Sequence, residues 1–230
     1  MSKAVKNLFD SISTKYDFLN HFLSAGRDIA WRKKACALLE PQKEVTVLDL
    51  CGGTGDFLDT FIKKGHQVNS SVIGDFSFGM LKEARHKFPQ FKTYQLDALH
   101  PPFAPASFDI VLCGFGMRNL DSLDKGIDEV YQLLKPGGTF ITLEFFRPLR
   151  LVPKTFYHGI APLFIPLFGA LFSGRKSAYE YLVNSVKKFL SADSYRQKLE
   201  QKGFEKVEVH DCDFGLAQIV IGQKNLGDKA

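Results

Sequence analysis

The chain has 230 residues, 45% hydrophobic and 24% charged, the balance of a soluble globular protein with one substantial core. Its net charge of +5 is too small to argue for nucleic acid but favours an anionic membrane surface. Four separated cysteines, Cys36, Cys51, Cys113 and Cys212, lack metal-ligand spacing and read as reduced thiols. The start, Met1 to Lys6, has no signal-peptide core, so a cytoplasmic chain is expected. With 22 Phe against a single Trp, aromatic rings remain for an apolar substrate surface.

Residues 7–40 read as helical. Phe9, Ile12, Tyr16, Leu19, Phe22 and Leu23 recur near the helical period, and a second run goes from Ile29-Ala30-Trp31-Arg32 to Leu38-Leu39. Gly26 divides the two and Pro41 ends the second. An extra helix pair packed on a sheet accounts for this pattern. Such helices can also cover a cofactor, with Tyr16 and Asp17 facing the site.

Val45-Thr46-Val47-Leu48-Asp49-Leu50 leads into Cys51-Gly52-Gly53-Thr54-Gly55-Asp56 and then a helical Phe57 to Lys64. Strand, glycine turn and helix in that order open a nucleotide-binding α/β domain. A glycine turn alone is more often an ordinary turn, and the flanking elements are what reverse that reading. The glycines allow positive φ and close backbone approach to a ligand.

A second strand is expected over 70–74, ending at Asp75, about 20 positions on, where a carboxylate can bond two ribose hydroxyls. Asp75 could also cap the helix from Ser77 to Phe88. A third strand, Lys92 to Leu96, ends in Asp97-Ala98, a carboxylate and a backbone N–H that could reach an adenine. Ser107 to Gly114 reads as a buried central strand whose end, Gly114-Phe115-Gly116-Met117-Arg118-Asn119, opens at the same sheet edge. A helix from Asp121 to Leu134 then ends at Lys135-Pro136-Gly137-Gly138, with a strand over 139–146. The candidate cofactor contacts are Asp49, Cys51, Gly53, Thr54, Asp75, Phe76, Asp97, Ala98 and Gly114. No metal set, nucleophile–His pair or P-loop accompanies them. A nucleoside cofactor with three acidic anchors, Asp49, Asp75 and Asp97, fits better than a dinucleotide and points to S-adenosylmethionine.

From Phe156 to Phe172 the chain carries no Lys, Arg, Asp or Glu but is broken by Pro162, Pro166 and Gly169. A membrane span takes about 20 unbroken apolar residues. The run is therefore expected to serve as a substrate-tail groove and membrane contact, with core packing as the alternative. Lys154, Arg175 and Lys176 flank it. A helix over 179–189, another capped at Ser191 and stopped by Gly203, and two strands, 204–210 and 215–221, complete the chain, with 225–230 as a polar tail.

These residues resemble the ubiquinone/menaquinone biosynthesis C-methyltransferases, a branch of the class I S-adenosylmethionine-dependent methyltransferases. The resemblance rests on Phe9-Asp10-Ser11-Ile12, Tyr16-Asp17-Phe18-Leu19-Asn20, Trp31-Arg32, Leu48 to Asp56, Gly114 to Asn119, Leu134 to Gly138, Leu143-Glu144-Phe145, Tyr179 to Leu182, Ser185-Val186 and Gly203-Phe204. It implies a Rossmann-like mixed seven-stranded sheet with an N-terminal helical lid (1–42), a cofactor core (43–150), an apolar insert (151–190) and a C-terminal helix and strands (191–230). It also implies methyl transfer to a ring carbon of a polyprenylated quinol, demethylmenaquinol or a benzoquinol, by a membrane-peripheral enzyme. Arg118 is expected to stabilise the quinolate, with Tyr16 and Asn119 orienting the ring or a water. Expected partners are the quinol, the membrane surface and a second copy or a quinone-biosynthesis complex, with no nucleic acid. The alternatives are a methyltransferase for another apolar small molecule and a non-catalytic cofactor-binding accessory protein.

Overall fold

The computed structural model describes residues 3–148, 155 and 176–227. The run 156–172 and the last three residues lie outside these, so the expected tail groove and membrane contact do too.

Three helices, α1 (Lys3–Ile12), α2 (Tyr16–Leu23) and α3 (Arg27–Ala37), precede the first strand. The first apolar run, expected as one helix, breaks at a 3-10 turn over Ser13–Lys15. The Oγ of Ser11 donates to the Leu8 carbonyl at 2.6 Å and that of Ser13 to the Asp10 carbonyl at 3.1 Å. Hydroxyls bonded back to the helix compete with its own N–H groups for those carbonyls.

The sheet contains β1 (Val45–Leu50), β2 (Val68–Asp75), β3 (Lys92–Gln95), β4 (Phe108–Gly114), β5 (Leu134–Glu144), β6 (Phe204–Cys212) and β7 (Ala217–Lys224). Their order is β3-β2-β1-β4-β5-β7-β6, with the first five parallel and β7 antiparallel to both neighbours. The connecting helices are α4 (Asp56–Lys63), α5 (Phe78–Lys87), α6 (Leu123–Leu133), α7 (Lys176–Lys188) and α8 (Ala192–Gln201). This is the expected Rossmann-like mixed sheet flanked by helices. The apolar β1 is buried on both faces, as a central parallel strand must be. Leu48 and Leu50 pack with Val111, Phe140 and Tyr195 on one face. The alternate residue Val47 packs with Trp31, Phe57 and Phe61 on the other, so period two turns Asp49 toward α3 and α4.

Two expectations are corrected. Lys135 to Gly138 does not terminate a helix outside the sheet: α6 ends at Leu133 and β5 already begins at Leu134. The ladder with β4 shifts register between Phe108 and Ile110, and this bulge absorbs the turn residues. Asp75 does not cap α5, because the Ser77 hydroxyl accepts from the Met80 N–H at 3.2 Å and does so itself.

Candidate active site

The strand ends of β1 and β4 meet above the sheet. A Cβ on Gly52 would stand 2.8 Å from both the carboxyl carbon and the carbonyl oxygen of Asp49, so only glycine lets the turn fold back on its own strand. A Cβ on Gly116 would stand 2.5 Å from that of Cys51, which brings the β4 loop against the first turn. Cys51 (φ 55) and Phe115 (φ 60) are left-handed without being glycine. Such strain collects where a fold fixes a functional surface.

Between these loops and the N-terminal helices lies a cleft with two adjoining lobes, about 350 and 340 Å³. Both are lined by Tyr16, Cys51, Gly53, Gly114 and Phe115. One adds Phe9, Asp75, Met80 and Asn119, and the other Arg32, Asp49, Thr54 and Asp56. Of the sequence-predicted residues, Tyr16, Asn119, Asp49, Cys51, Gly53, Thr54, Asp75 and Gly114 therefore share one cleft. Arg118, Phe76, Asp97 and Ala98 do not line it. Asp97 follows β3, where its Oδ1 accepts from the Leu99 N–H at 3.0 Å.

The electrostatics centre on Asp49, which is fully buried. Its Oδ2 accepts from the Leu58 N–H at 3.2 Å, in the first turn of α4, while its Oδ1 has no hydrogen-bond partner among the described residues. Burial pushes its carboxyl up to about 7, against the Leu58 N–H and the Arg32 charge. Asp75 accepts from the N–H groups of Gly53 (3.0 Å) and Ser77 (2.8 Å), and burial still lifts it to about 6. The hydrogen bond with Cys113 and burial both raise the Cys51 thiol well above the ordinary range, which works against a thiolate there.

Arg118 stands behind the cleft. Its Nη1 pairs with Glu144 at the end of β5 and donates to the Phe115 carbonyl at 2.8 Å, with both side chains of the pair buried. Burial raises the Glu144 carboxyl even so, with Arg118 opposing. Asn119 lies beside it, its Nδ2 donating to the Phe115 carbonyl at 3.0 Å and its Oδ1 accepting from the Tyr181 hydroxyl at 2.9 Å. Burial raises the Tyr16 phenol, while Asn20, Arg118 and Arg32 pull it down.

The N-terminal helices are tied to this machinery. Asp17 accepts from the Thr54 hydroxyl at 2.6 Å and from Lys87 Nζ at 2.6 Å, and Lys87 also reaches Asp56 at 2.6 Å. Asp10 accepts from the Ser77 hydroxyl and from the Gly79 N–H at 3.0 Å. Thus α1 and α2 are bonded to both the β1 and the β2 turns.

Sequence reasoning missed Arg32, Glu144, Tyr181 and Lys87. The first three lie in stretches that carried the resemblance, but nothing local in the sequence marks their tertiary partners.

Residues 1–224 match the model of the ubiE/COQ5 methyltransferase family. A demethylmenaquinone methyltransferase of Chlorobaculum parvum is 36% identical over 226 residues, covering 96% of this chain and 92% of that protein. One of Lactiplantibacillus plantarum is 35% identical (96% and 95% covered), and a ubiquinone/menaquinone biosynthesis C-methyltransferase UbiE of Geotalea daltonii is 34% identical (96% of each). A solved SAM-dependent methyltransferase of Thermotoga maritima shares the fold, with TM-score 0.68 at 18% identity over 95% of this chain and 99% of that one. A Haloferax volcanii protein solved with the Trm112 methyltransferase activator gives TM-score 0.70 at 17% identity, covering 94% and 97%. The methyl donor of such enzymes carries an ammonium, a carboxylate and a ribose. The cleft fits it: Asp49 has a buried oxygen without a donor among the described residues, and each Asp75 oxygen keeps a lone pair beyond its backbone bond. The chain belongs to the ubiE/COQ5 methyltransferase family, with S-adenosylmethionine as its methyl donor.

Proposed function

We propose that the protein methylates a ring carbon of a polyprenylated quinol in quinone biosynthesis, demethylmenaquinol foremost, at the membrane surface. The observation that carries this reading is the two-sided cleft, in a chain 36% identical to a demethylmenaquinone methyltransferase. One lobe has the acidic glycine turn for the donor's amino-acid end; the other joins Asp75, for the donor's ribose, to Phe9, Met80 and Asn119, and Tyr16 and Phe115, which line both, stand where a flat apolar ring would meet the donor.

When bound, S-adenosylmethionine supplies an electrophilic methyl group. The protein's task is to orient the quinol, exclude water and stabilise the ring oxygen as it becomes anionic. Tyr16, kept protonated by burial, is a donor for that oxygen, and the second N–H of the Asn119 amide is another. Arg118 lowers the Tyr16 phenol, and the same positive field favours a quinolate accepting from it. Glu144 fixes the Arg118 guanidinium, so Arg118 works by charge and position and not as a base. The tied helices α1 and α2 act as the lid that closes the cleft. Among the described residues no helix is long and apolar enough to cross a membrane, and the membrane reading rests on the net charge and the uncharged run 156–172.

The test is quinone profiling by mass spectrometry in cells with and without the protein. The expected result is accumulation of the demethylated quinone on deletion, reversed by the wild type and not by Arg118→Ala. An unchanged quinone profile would overturn the substrate assignment. Flotation with anionic vesicles tests the membrane contact, and failure to float would remove it.

A further inference from the structure

We propose that Cys51 and Cys113 form a dithiol pair on the donor cleft, which hydrogen peroxide converts to a disulfide that closes the cleft to the methyl donor. The inference rests on the cleft as the donor's site and adds to it a place of reversible modification.

Cys51 opens the glycine turn after β1, and Cys113 is the last residue but one of β4. The two strands are parallel neighbours with Asp49 opposite Leu112, so Cys51 lies two residues beyond that pair and Cys113 one. A one-residue diagonal between strands about 4.8 Å apart spans about 6 Å, within the Cα separation a disulfide bridges. Both side chains turn to the same face. Cys113 is buried with Leu50, Val111 and Met117, and Cys51 packs against that cluster.

Gly116 brings the sulfurs together. A Cβ there would stand 2.8 Å from the Cys113 sulfur and 3.1 Å from the Cys51 sulfur, so both border one point with no side chain between them. The two thiols are already hydrogen-bonded. Cys36 and Cys212 belong to the cluster on the other face of the sheet.

Access divides the roles. Cys51 lines both lobes of the cleft, whereas Cys113 is fully buried. Peroxide entering the cleft meets Cys51, whose sulfur takes one oxygen to become a sulfenic acid while the other leaves as water. The Cys113 sulfur then attacks the Cys51 sulfur, and its proton leaves with the displaced hydroxide as a second water. Two thiols and one peroxide thus give one disulfide and two waters. The raised Cys51 thiol slows the first step, so the pair answers sustained oxidant and not a brief exposure. Closure reaches the cleft because Cys51, held left-handed (φ 55), leads directly into Gly52 and Gly53, and the Gly53 N–H bonds Asp75. Drawing the sulfurs to covalent distance pulls that turn toward β4.

The test treats the full chain with hydrogen peroxide, blocks free thiols after denaturation and reads linked peptides by mass spectrometry. A Cys51–Cys113 link should grow with exposure and vanish with dithiothreitol, while Cys36 and Cys212 stay free. Titration calorimetry should show affinity for S-adenosylhomocysteine falling about tenfold or more on oxidation and returning with dithiothreitol, since a misplacement of about 1 Å costs about 100-fold. By linkage, saturating S-adenosylhomocysteine should hold back the disulfide. In Cys113→Ser, sustained peroxide carries the unpartnered Cys51 on to a sulfinic acid, so dithiothreitol should restore nothing. Wild type that acquires no such link, or acquires it with unchanged affinity, would overturn the inference, as would an equally reversible loss in Cys113→Ser. Failure of the untreated wild type to bind S-adenosylhomocysteine would overturn the donor assignment itself, a distinct result.

Discussion

Asp49→Asn isolates the cost of burying a carboxylate on the cleft wall. The group titrates near its ordinary 3.8 in the unfolded chain and at about 7 in the folded one. Between those values the native state holds more protons than the unfolded state, so wild-type stability falls as pH rises through that window and levels off above it. A rise of about three pKa units at about 1.4 kcal/mol each makes the loss ~4 kcal/mol by pH 8. Asparagine keeps the acceptor for the Leu58 N–H and never ionises. Near pH 4 it stands in for the protonated acid, and the two proteins should be about equally stable there. Urea unfolding followed by circular dichroism at pH 4, 5, 6, 7 and 8 should show the variant gaining on the wild type steadily, up to that figure. The wild type retains a shallower decline than Asp49 alone predicts only if other groups offset it, and Asp75, raised to about 6, adds in the same direction. A stability difference that does not change with pH would refute the assignment of a buried, strained carboxylate at position 49.

Lys87→Met removes one cation from two carboxylates at a partly exposed site, so global stability should move by less than about 1 kcal/mol. Local opening of the N-terminal helices should nevertheless rise about fivefold, read as faster limited proteolysis between α2 and α3, and an unchanged cleavage rate would show that the Asp17–Thr54 and Asp10–Ser77 bonds hold them without Lys87. Tyr181→Phe takes the donor from Asn119 Oδ1; kcat should fall about tenfold, within the 1–3 kcal/mol range for an unsatisfied buried acceptor, while S-adenosylhomocysteine affinity stays constant. Loss of both would mean that Tyr181 supports the fold and not the amide's orientation. Gly52→Ala places a methyl against the Asp49 backbone and should cost about 1–3 kcal/mol together with cofactor binding, measured by thermal unfolding with and without S-adenosylhomocysteine.

Local chemistry announced much of this architecture. The Val45 to Asp56 stretch combines an apolar run, an acid and glycines at the positions that a strand-turn-helix unit requires, and the closing hairpin is marked by the apolar run of β7, while β6 sets Phe204, Val207, Val209 and Cys212 among charged residues. Helix α3 was less legible. Its pattern was read from Ile29-Ala30-Trp31-Arg32 to Leu38-Leu39, and Trp31 and Arg32 are buried, but Ile29 is 41% exposed and the buried face also takes in Asp28, Ala35 and Cys36. Charges are normally assigned to solvent, and here they are buried because they satisfy each other and because Trp31 finds Asp213, 182 residues away, at 2.7 Å. Arg118 was expected at the reacting ring; its partner Glu144 sits 26 residues on, at the end of a neighbouring strand, and only the β4–β5 register brings them together. Lys135 to Gly138 carries strong turn chemistry and keeps it as a bulge inside β5: β4 pairs with Leu134 and next with Thr139, and Gly137 is left-handed (φ 76).

The place of β7 has a consequence for the order in which the protein can be built. A ribosome releases β1 to β5 first, and each strand after β1 can pair with an earlier one as soon as its connection has crossed over. The exposed flank of β5 must then wait for β7, the last strand made among those described, since β6 touches the sheet only through it. Until Ala217 to Lys224 emerges, the nascent chain carries an open strand edge ready to pair with another molecule. The ammonium of Lys224, buried and bonded to the carbonyls of Tyr131 and Leu134, completes that late closure. Truncation before Ala217 would leave every cleft residue in the polypeptide, yet expose the flank of β5, the strand that carries Glu144.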